Sequence, residues 1–199
     1  MKNLPLILAS SSASRKMILD TLGVTYQALS PDIDETVLPY ETAEAHVARL
    51  AKDKALKVAH DIAEKIPAAL IIGCDSVCVL QGAIVSKPET HDVAVQQLQA
   101  ASGQVVYFYS GLVLYNSQTQ QLQQEVVRTA VHFKILSDEL IDAYLQKDRP
   151  YSCAGSIRAE GLGIILVNKM VADDPNSLVG LPLIKLIEML ENENFQFFM

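Results

Sequence analysis

The chain has 199 residues, of which 50% are hydrophobic, and its formal net charge at pH 7 is −7. This length and composition predict a globular chain with a sizeable core, either as one large domain or as two small lobes. The acidic balance argues against broad binding to nucleic acid, and no run of about 18 apolar residues predicts a membrane span. Three cysteines without a CxxC pair, and a start without a signal-peptide pattern, favour the cytoplasm.

The first predicted elements are a buried strand, a serine-rich loop and a helix. The strand begins at Leu6, four serines occur from Ser10 to Ser14, and apolar residues then recur at helical spacing up to Leu22. The start of a helix exposes unpaired N–H groups, so the serine hydroxyls and the cations Arg15 and Lys16 suit a phosphate group. The alternative is that one serine only caps the helix and that both cations are solvated.

A short strand from Val24 to Ser30 is predicted next, followed by an acidic loop and a long helix from Glu41 to about Lys65. The three carboxylates of the loop, which include Glu35, either stay solvated, cap the following segment or coordinate a hard cation such as Mg2+. Lys54 falls in the middle of the apolar stripe of the helix. Its ammonium must therefore either reach the edge of the buried face or meet an anion in a cleft.

The apolar, β-prone segment over residues 68–80 carries a single charge, Asp75. A lone buried carboxylate is costly, so Asp75 should be paired with a cation, bound to a metal, or placed at the end of the strand beside a cavity. After a turn and a short strand from Ala83 to Val85, Lys87 supplies another cation.

The rest of the chain is predicted to form structural elements without a direct role in the site, apart from one glycine-rich segment. The glycines between Gly155 and Gly163 lack GxGxxG spacing, but they permit close backbone approach to a ligand, with Arg158 and Glu160 able to project into it. The histidines do not cluster at the spacing of zinc ligands. The predicted scaffold elements are a helix over Asp92–Ala101, a β-hairpin of Val105–Tyr115 and Leu122–Leu136, a helix over Asp138–Lys147, a strand over Ile164–Asn168 and a last helix after Pro182.

Taken in order, six motifs form a specific series along the chain. They are Leu8-Ala9-Ser10-Ser11-Ser12-Ala13-Ser14-Arg15-Lys16, Asp34-Glu35-Thr36, Leu50-Ala51-Lys52-Asp53-Lys54-Ala55, Gly73-Cys74-Asp75-Ser76-Val77, Lys87-Pro88, and Glu160-Gly161-Leu162-Gly163 with the later Val179-Gly180-Leu181-Pro182. The series resembles the Maf family of nucleoside triphosphate pyrophosphatases over essentially the whole chain.

The resemblance implies a mixed α/β fold, related to the inosine triphosphatase architecture, in which one domain over residues 1–199 forms two lobes around a central cleft. It also implies a homodimer. The implied reaction is hydrolysis of a nucleoside triphosphate between its α and β phosphorus atoms, which yields a monophosphate and pyrophosphate with a divalent metal, Mg2+ or Mn2+.

The resemblance further implies a role for each matching residue. Asp75 matches the proposed proton acceptor, with metal binding as its alternative role, and Glu35 matches an acidic residue that helps with metal or water. The expected phosphate-binding residues are Ser10, Arg15, Lys16, Lys54 and Lys87. The positions that match base selection are Ser14, Ser76 and Glu160.

The glycine-rich segment and the last motif indicate a branch of the family. Cys153-Ala154-Gly155-Ser156 with Glu160, and the segment from Asp174 to Ile184, resemble the subfamily that acts on 7-methyl-GTP, whereas the dTTP and UTP branch usually has glutamine in place of Glu160. A carboxylate suits the donor-rich edge of guanine, and its charge favours a cationic methylated base. The alternative at this position is that Glu160 is buried against Arg158.

Two departures from the 7-methyl-GTP branch leave other substrates open. Ser14 replaces a bulky or aromatic residue, and Ser76 replaces a larger amide. The alternatives are a dTTP/UTP or broad-specificity pyrophosphatase, and a nucleotide-binding regulator of septum formation without turnover.

Overall fold

The computed structural model describes residues 3–198, so the predicted domain limits at 1 and 199 lie outside the described residues. The fold is mixed α/β, as the sequence predicts. The strands are β1 (Leu6–Ala9), β2 (Tyr26–Leu29), β3 (Leu70–Leu80), β4 (Ala83–Val85), β5 (Val105–Asn116), β6 (Gln121–Phe133) and β7 (Val167–Val171). The helices are α1 (Ala13–Asp20), α2 (Ala43–Ile62), α3 (His91–Ala101), α4 (Asp138–Asp148) and α5 (Leu183–Asn192). Within residues 3–198, no helix is both long enough and apolar enough to cross a membrane.

The strands form one sheet in the order β2-β1-β3-β5-β6-β7, with β4 paired to β3. β1 runs parallel to β2 and β3, with Ala9 opposite Leu29 on one side and opposite Gly73 on the other. Strand β4 is antiparallel to β3, and β7 is antiparallel to β6. Ligands of open α/β sheets bind at the carboxyl ends of parallel strands, so this fold favours a site in the loops after β1 and β2.

The chain divides into two compact units. The first contains Met1–Asp75, Ser110–Val127 and Asp174–Met199, and the second contains Ser76–Tyr109 and Arg128–Asp173. The central cleft that the resemblance implies stays a prediction.

In the first unit, both faces of β1 and β3 are buried. Alternate residues of a strand point to opposite faces, and both faces are covered by helices here, which explains why the strands read as continuous apolar runs. On one face, Leu6, Leu8, Leu70 and Ile72 pack with Ile18 and Leu19 of α1 and with Leu186 and Leu190 of α5. On the other, Ile7, Ala9 and Ile71 pack with Ala51, Ala55 and Val58 of α2.

Two glycines let α2 lie directly against the sheet. A methyl group added at Gly73 would overlap the carbonyl oxygen of Ala51 and lie 2.9 Å from the Cβ of Ala55. A methyl group at Gly111 would overlap the carbonyl oxygen of Val47. Since Gly73 and Asp75 are two residues apart in β3, they share the face that α2 covers.

The predicted strand over Ile164–Asn168 is wrong in its first half. Residues Leu162–Leu166 form a 3₁₀ turn, and β7 starts only at Val167. The chain folds tightly before this turn, because the N–H groups of Gly161 and Gly163 both donate to the carbonyl oxygen of Arg158 at 3.1 Å.

Other boundaries differ by a few residues. α2 begins at Ala43 because Thr42 caps it, accepting from the N–H of Ala45 at 3.2 Å, which leaves Glu41 outside the helix. The predicted hairpin is confirmed as β5 and β6, although β6 ends at Phe133. Beyond that residue, the N–H of Lys134 donates to the carbonyl oxygen of Leu166, which lies in the 3₁₀ turn before β7.

Candidate active site

A lysine and an aspartate are buried together in the first unit. Lys54 on α2 is 5% exposed and Asp75 on β3 is 6% exposed, and the lysine Nζ donates to Oδ1 of the aspartate at 2.6 Å. Burial of either charge alone would be costly, and each side chain supplies the counter-charge that the other needs. The sequence-based option of a cation partner for Asp75 is therefore correct. The option of a position at the strand end is wrong, because β3 continues to Leu80.

A second carboxylate reaches the same ammonium from the loop after β2. Oε1 of Glu35 lies 2.7 Å from the Nζ of Lys54, and the Glu35 side chain is 54% exposed. Lys54 therefore joins a buried carboxylate to a largely exposed one. Glu35 is thus part of a charged cluster, and the interpretation of the loop as merely solvated is wrong at this residue.

The serine loop fixes Arg15 as well as capping α1. Oγ of Ser12 accepts from the N–H of Arg15 at 3.4 Å, so one serine is the helix cap, as the alternative interpretation held. The Arg15 guanidinium, however, donates from Nε to the carbonyl oxygen of Gly180 at 2.9 Å and from Nη1 to Oγ of Ser10 at 3.5 Å. Ser10 is 5% exposed. The hydroxyl oxygens of the loop therefore accept hydrogen bonds that fix the start of α1 and the Arg15 guanidinium.

Arg15 and Lys54 both influence the residue before Asp75. The thiol of Cys74 precedes Asp75, and burial raises its pKa, while the charges of Arg15 and Lys54 oppose that shift. Ala9 also lies opposite Gly73 in the β1–β3 register, so Ser10 leaves β1 beside the segment that leads to Asp75. Lys16 and Ser14 lie on the first turns of α1 and are partly exposed.

Three predicted site residues belong to the second unit. Ser76 follows Asp75 in β3 and is partly exposed, whereas Lys87, after β4, and Glu160 are both exposed. Glu160 is exposed and so is not buried against Arg158, whose guanidinium donates from Nη2 to the buried carboxylate of Asp148. The proposed alternative for Glu160 is therefore wrong, and the roles of these three residues stay predictions.

The profile of a protein family described as Maf-like protein matches residues 5–193. The chain belongs to the Maf family. Its sequence is 50% identical to the 7-methyl-GTP pyrophosphatase of Nitrosococcus oceani over 190 residues, which cover 96% of this chain and 94% of that protein. It is 47% identical to the 7-methyl-GTP pyrophosphatase of Vibrio cholerae over 193 residues, which cover 97% of each chain.

Among solved structures, the Ham1 protein of Staphylococcus aureus matches with a TM-score of 0.41 and 13% sequence identity. The match covers 67% of this chain and 72% of that chain.

Two carboxylates of this Maf protein lie beside one ammonium group. Across residues 3–198, no group of three or more His, Cys, Asp and Glu side chains is placed to hold a metal ion. Glu35 and Asp75 nevertheless flank one ammonium, so they can offer two carboxylates to a shared cation. Mg2+ commonly binds through one or two carboxylates, with water and substrate phosphates as its other ligands.

Sequence reasoning missed the side chains that brace the acidic loop of this Maf protein. The guanidinium of Arg49 donates to Oε1 and Oε2 of Glu41 at 2.7 and 2.9 Å, and to the carbonyl oxygen of Thr36 at 3.1 Å. His46 Nδ1 lies 2.9 Å from Oε2 of Glu41. Oδ1 of Asp34 accepts from the N–H and the hydroxyl of Thr36 at 2.9 and 2.6 Å. Arg49 therefore ties α2, which carries Lys54, to the residue that follows Glu35.

Only part of this brace had a signal in the sequence. His46 and Arg49 lie on one face of α2 because they are three residues apart. Glu41 precedes the helix cap, so helical periodicity gave no reason to pair it with either residue.

Proposed function

We propose that this protein hydrolyses the α–β phosphoanhydride of a nucleoside triphosphate, with 7-methyl-GTP as the preferred substrate, and releases a nucleoside monophosphate and pyrophosphate. Relatives at 47 and 50% identity over nearly the full chain bear the name 7-methyl-GTP pyrophosphatase. The observation that carries the proposal is the buried Lys54–Asp75 pair with Glu35 on the same ammonium.

In the proposed reaction, the positive side chains bind the phosphates. The transition state of phosphoryl transfer carries charge on its phosphate oxygens, and fixed cations stabilise that charge without reorganisation. Arg15 is held by Ser10 and Gly180, and Lys54 is held by two carboxylates, so both are preorganised. Lys16 and Lys87 add further positive charge in this proposal.

Asp75 orients the attacking water and accepts its proton. The hydrogen bond from Lys54 to Oδ1 fixes the plane of this carboxylate, which a general base requires. A divalent cation, Mg2+ or Mn2+, held by Glu35 and Asp75 supplies additional charge neutralisation on the phosphate oxygens when it is bound.

Selection of the base is assigned to Glu160, together with Ser14 and Ser76, which match the other base-selecting positions of the family. Glu160 is exposed to solvent. A carboxylate accepts hydrogen bonds from the N–H donors of guanine, and its negative charge favours the positively charged 7-methyl base.

The proposal also includes a homodimer in the cytoplasm. The cysteines Cys74, Cys78 and Cys153 are all free thiols, which supports a reducing compartment. Light scattering of the purified protein tests the dimer, since a monomer would have a mass near the 21.8 kDa of one chain.

The function is tested by pyrophosphate release from 7-methyl-GTP, GTP, dTTP, UTP and CTP, first with Mg2+ and then with Mn2+. We expect 7-methyl-GTP to be preferred and Asp75→Asn to bind nucleotide but to release almost no pyrophosphate. Asp61→Asn makes the same chemical change at an exposed residue of the first unit and should retain activity. Preference for dTTP or UTP would exclude 7-methyl-GTP as the proposed substrate. Binding without any turnover would favour the alternative of a nucleotide-binding regulator.

A further inference from the structure

The second unit contains an ion pair between a buried aspartate and a partly exposed arginine. Asp148 ends α4 with a side chain that is 2% exposed, and its Oδ1 accepts a hydrogen bond from Nη2 of Arg158. The other oxygen, Oδ2, is buried without a hydrogen-bond partner among residues 3–198. An unsatisfied buried carboxylate oxygen is costly, so the burial of Asp148 depends on its pairing with Arg158.

Arg158 is held through its side chain, its N–H and its carbonyl group. The guanidinium binds Asp148, and the backbone N–H donates to the hydroxyl oxygen of Tyr144 at 3.0 Å. The carbonyl oxygen accepts from the N–H groups of Gly161 and Gly163, each at 3.1 Å. The segment from Arg158 to Gly163 is therefore folded around one anchored residue.

The two glycines make this fold possible because side chains do not fit there. A methyl group at Gly161 would lie 2.6 Å from Nε of Arg158 and 3.2 Å from both carboxylate oxygens of Asp148. A methyl group at Gly163 would lie 2.5 Å from the carbonyl oxygen of Arg158. Glu160 lies between two anchored residues, Arg158 and Gly161, and is exposed.

We propose that the Asp148–Arg158 ion pair is a positioning device that sets the location of Glu160 and thereby the selectivity of the enzyme for 7-methyl-GTP over GTP. This inference rests on the proposed function. Asp148 is buried, so it acts through the Arg158–Gly163 segment and is a positioning residue. Tyr144 completes the device from α4, the helix that Asp148 ends, and burial raises the pKa of its hydroxyl, which stays neutral near pH 7.

The test measures kcat and KM for 7-methyl-GTP and for GTP in Asp148→Asn. A charge-assisted hydrogen bond that is lost or displaced changes the preference by about tenfold. We therefore expect the ratio of kcat/KM for the two nucleotides to fall by about that factor, through a higher KM for 7-methyl-GTP with kcat nearly unchanged. Asp142→Asn, an exposed change on the same helix, should leave the ratio unaltered.

Two further variants separate positioning from a general structural effect. If Asp148 acts through Glu160, the double variant Asp148→Asn, Glu160→Gln should be no less selective than Glu160→Gln alone, because the two effects are not additive. Arg158→Lys keeps the charge but not the planar fork, so its selectivity should lie between that of the wild type and that of Asp148→Asn. It also replaces Asp148→Asn in the test if that variant does not fold.

The outcomes distinguish this inference from the proposed function. A wild type that prefers 7-methyl-GTP, together with unaltered selectivity in folded Asp148→Asn and in Arg158→Lys, would overturn the positioning role and leave the function intact. Additive losses in the double variant would also overturn it. A wild type without any preference for 7-methyl-GTP would remove both proposals.

Discussion

Lys54 and Asp75 form a buried ion pair in which Nζ and Oδ1 are 2.6 Å apart. The pair joins α2 to the middle of β3, and Glu35 adds a second carboxylate to the same ammonium. Burial of two charged groups costs desolvation free energy, and such groups are expected at sites where catalysis requires charge.

Lys54→Met should destabilise the protein because it leaves the carboxylate of Asp75 buried without its partner. Breaking one side of a buried pair costs about 3–5 kcal/mol, whereas loss of an exposed pair costs about 0–1 kcal/mol. Urea unfolding at neutral pH measures the difference. Lys57→Met, which breaks the exposed pair with Asp61 on the same helix, is the matched control. Equal unfolding free energies for the two variants would show that Asp75 does not depend on Lys54 as its counter-charge.

Gly73→Ala should reduce stability and activity together. The added methyl group would overlap the backbone of α2 at Ala51, and backbone atoms cannot rotate away as a flexible side chain can. Overpacking of this kind costs about 1–3 kcal/mol, and displacement of α2 also moves Lys54 away from Asp75. Thermal unfolding and pyrophosphate release measure the two effects. Gly82→Ala is the control for activity only: no atom lies within 4 Å of its added methyl group, but its φ of +83° strains the backbone of any residue with a side chain. An activity loss at Gly82 as large as that at Gly73 would contradict the packing explanation.

The sequence identified the charges of the site but not how they pair. Lys54 and Asp75 were predictable because each interrupts an apolar pattern, and a buried charge requires a partner. Their mutual contact depends on how closely α2 approaches the sheet, which Gly73 and Gly111 determine through tertiary contacts. The bond from Arg15 to Gly180 joins residues 165 positions apart, a distance at which periodicity carries no information.

Local backbone geometry limited the prediction in the second unit. The apolar run from Ile164 to Leu166 has the composition of a strand, but it forms a 3₁₀ turn. The residues before this turn fold back on the carbonyl group of Arg158, and the guanidinium of Arg158 binds the buried carboxylate of Asp148. These tertiary contacts favour the turn over a strand. Composition indicated a glycine-rich segment here, but it could not identify the residue around which the glycines pack.

Glu41→Gln should make the stability of the first unit less dependent on pH. The hydrogen bonds from Arg49 hold the pKa of Glu41 well below its ordinary value of 4.5, with further bonds from Leu38 and His46. A lowered folded-state pKa gives stability that is present above the unfolded-state pKa and is lost as the pH falls through the folded-state pKa. The variant should therefore have a lower free energy of unfolding than the wild type, and this deficit should be largest near neutral pH and should shrink as the pH falls below about 4.5.

Urea unfolding at a series of pH values measures this deficit. Glu44→Gln, an exposed change in the first turn of α2, controls for the loss of one negative charge. A deficit that stays constant as the pH falls would mean that the Glu41 carboxylate contributes nothing through its charge.

Glu35→Gln should raise the metal concentration needed for activity without unfolding the protein. Glu35 is largely exposed, so loss of its contact with Lys54 should cost less than about 1 kcal/mol. Removal of one of two carboxylates that hold a divalent cation should raise the half-maximal Mg2+ concentration for pyrophosphate release by at least about tenfold. Excess metal should restore much of the activity of Glu35→Gln but none of that of Asp75→Asn, because Asp75 also accepts the proton.

Asp32→Asn, an exposed change in the same loop as Glu35, controls for the loss of negative charge. An unchanged metal titration for a folded Glu35→Gln protein would remove Glu35 from the metal site and leave it only as a partner of Lys54.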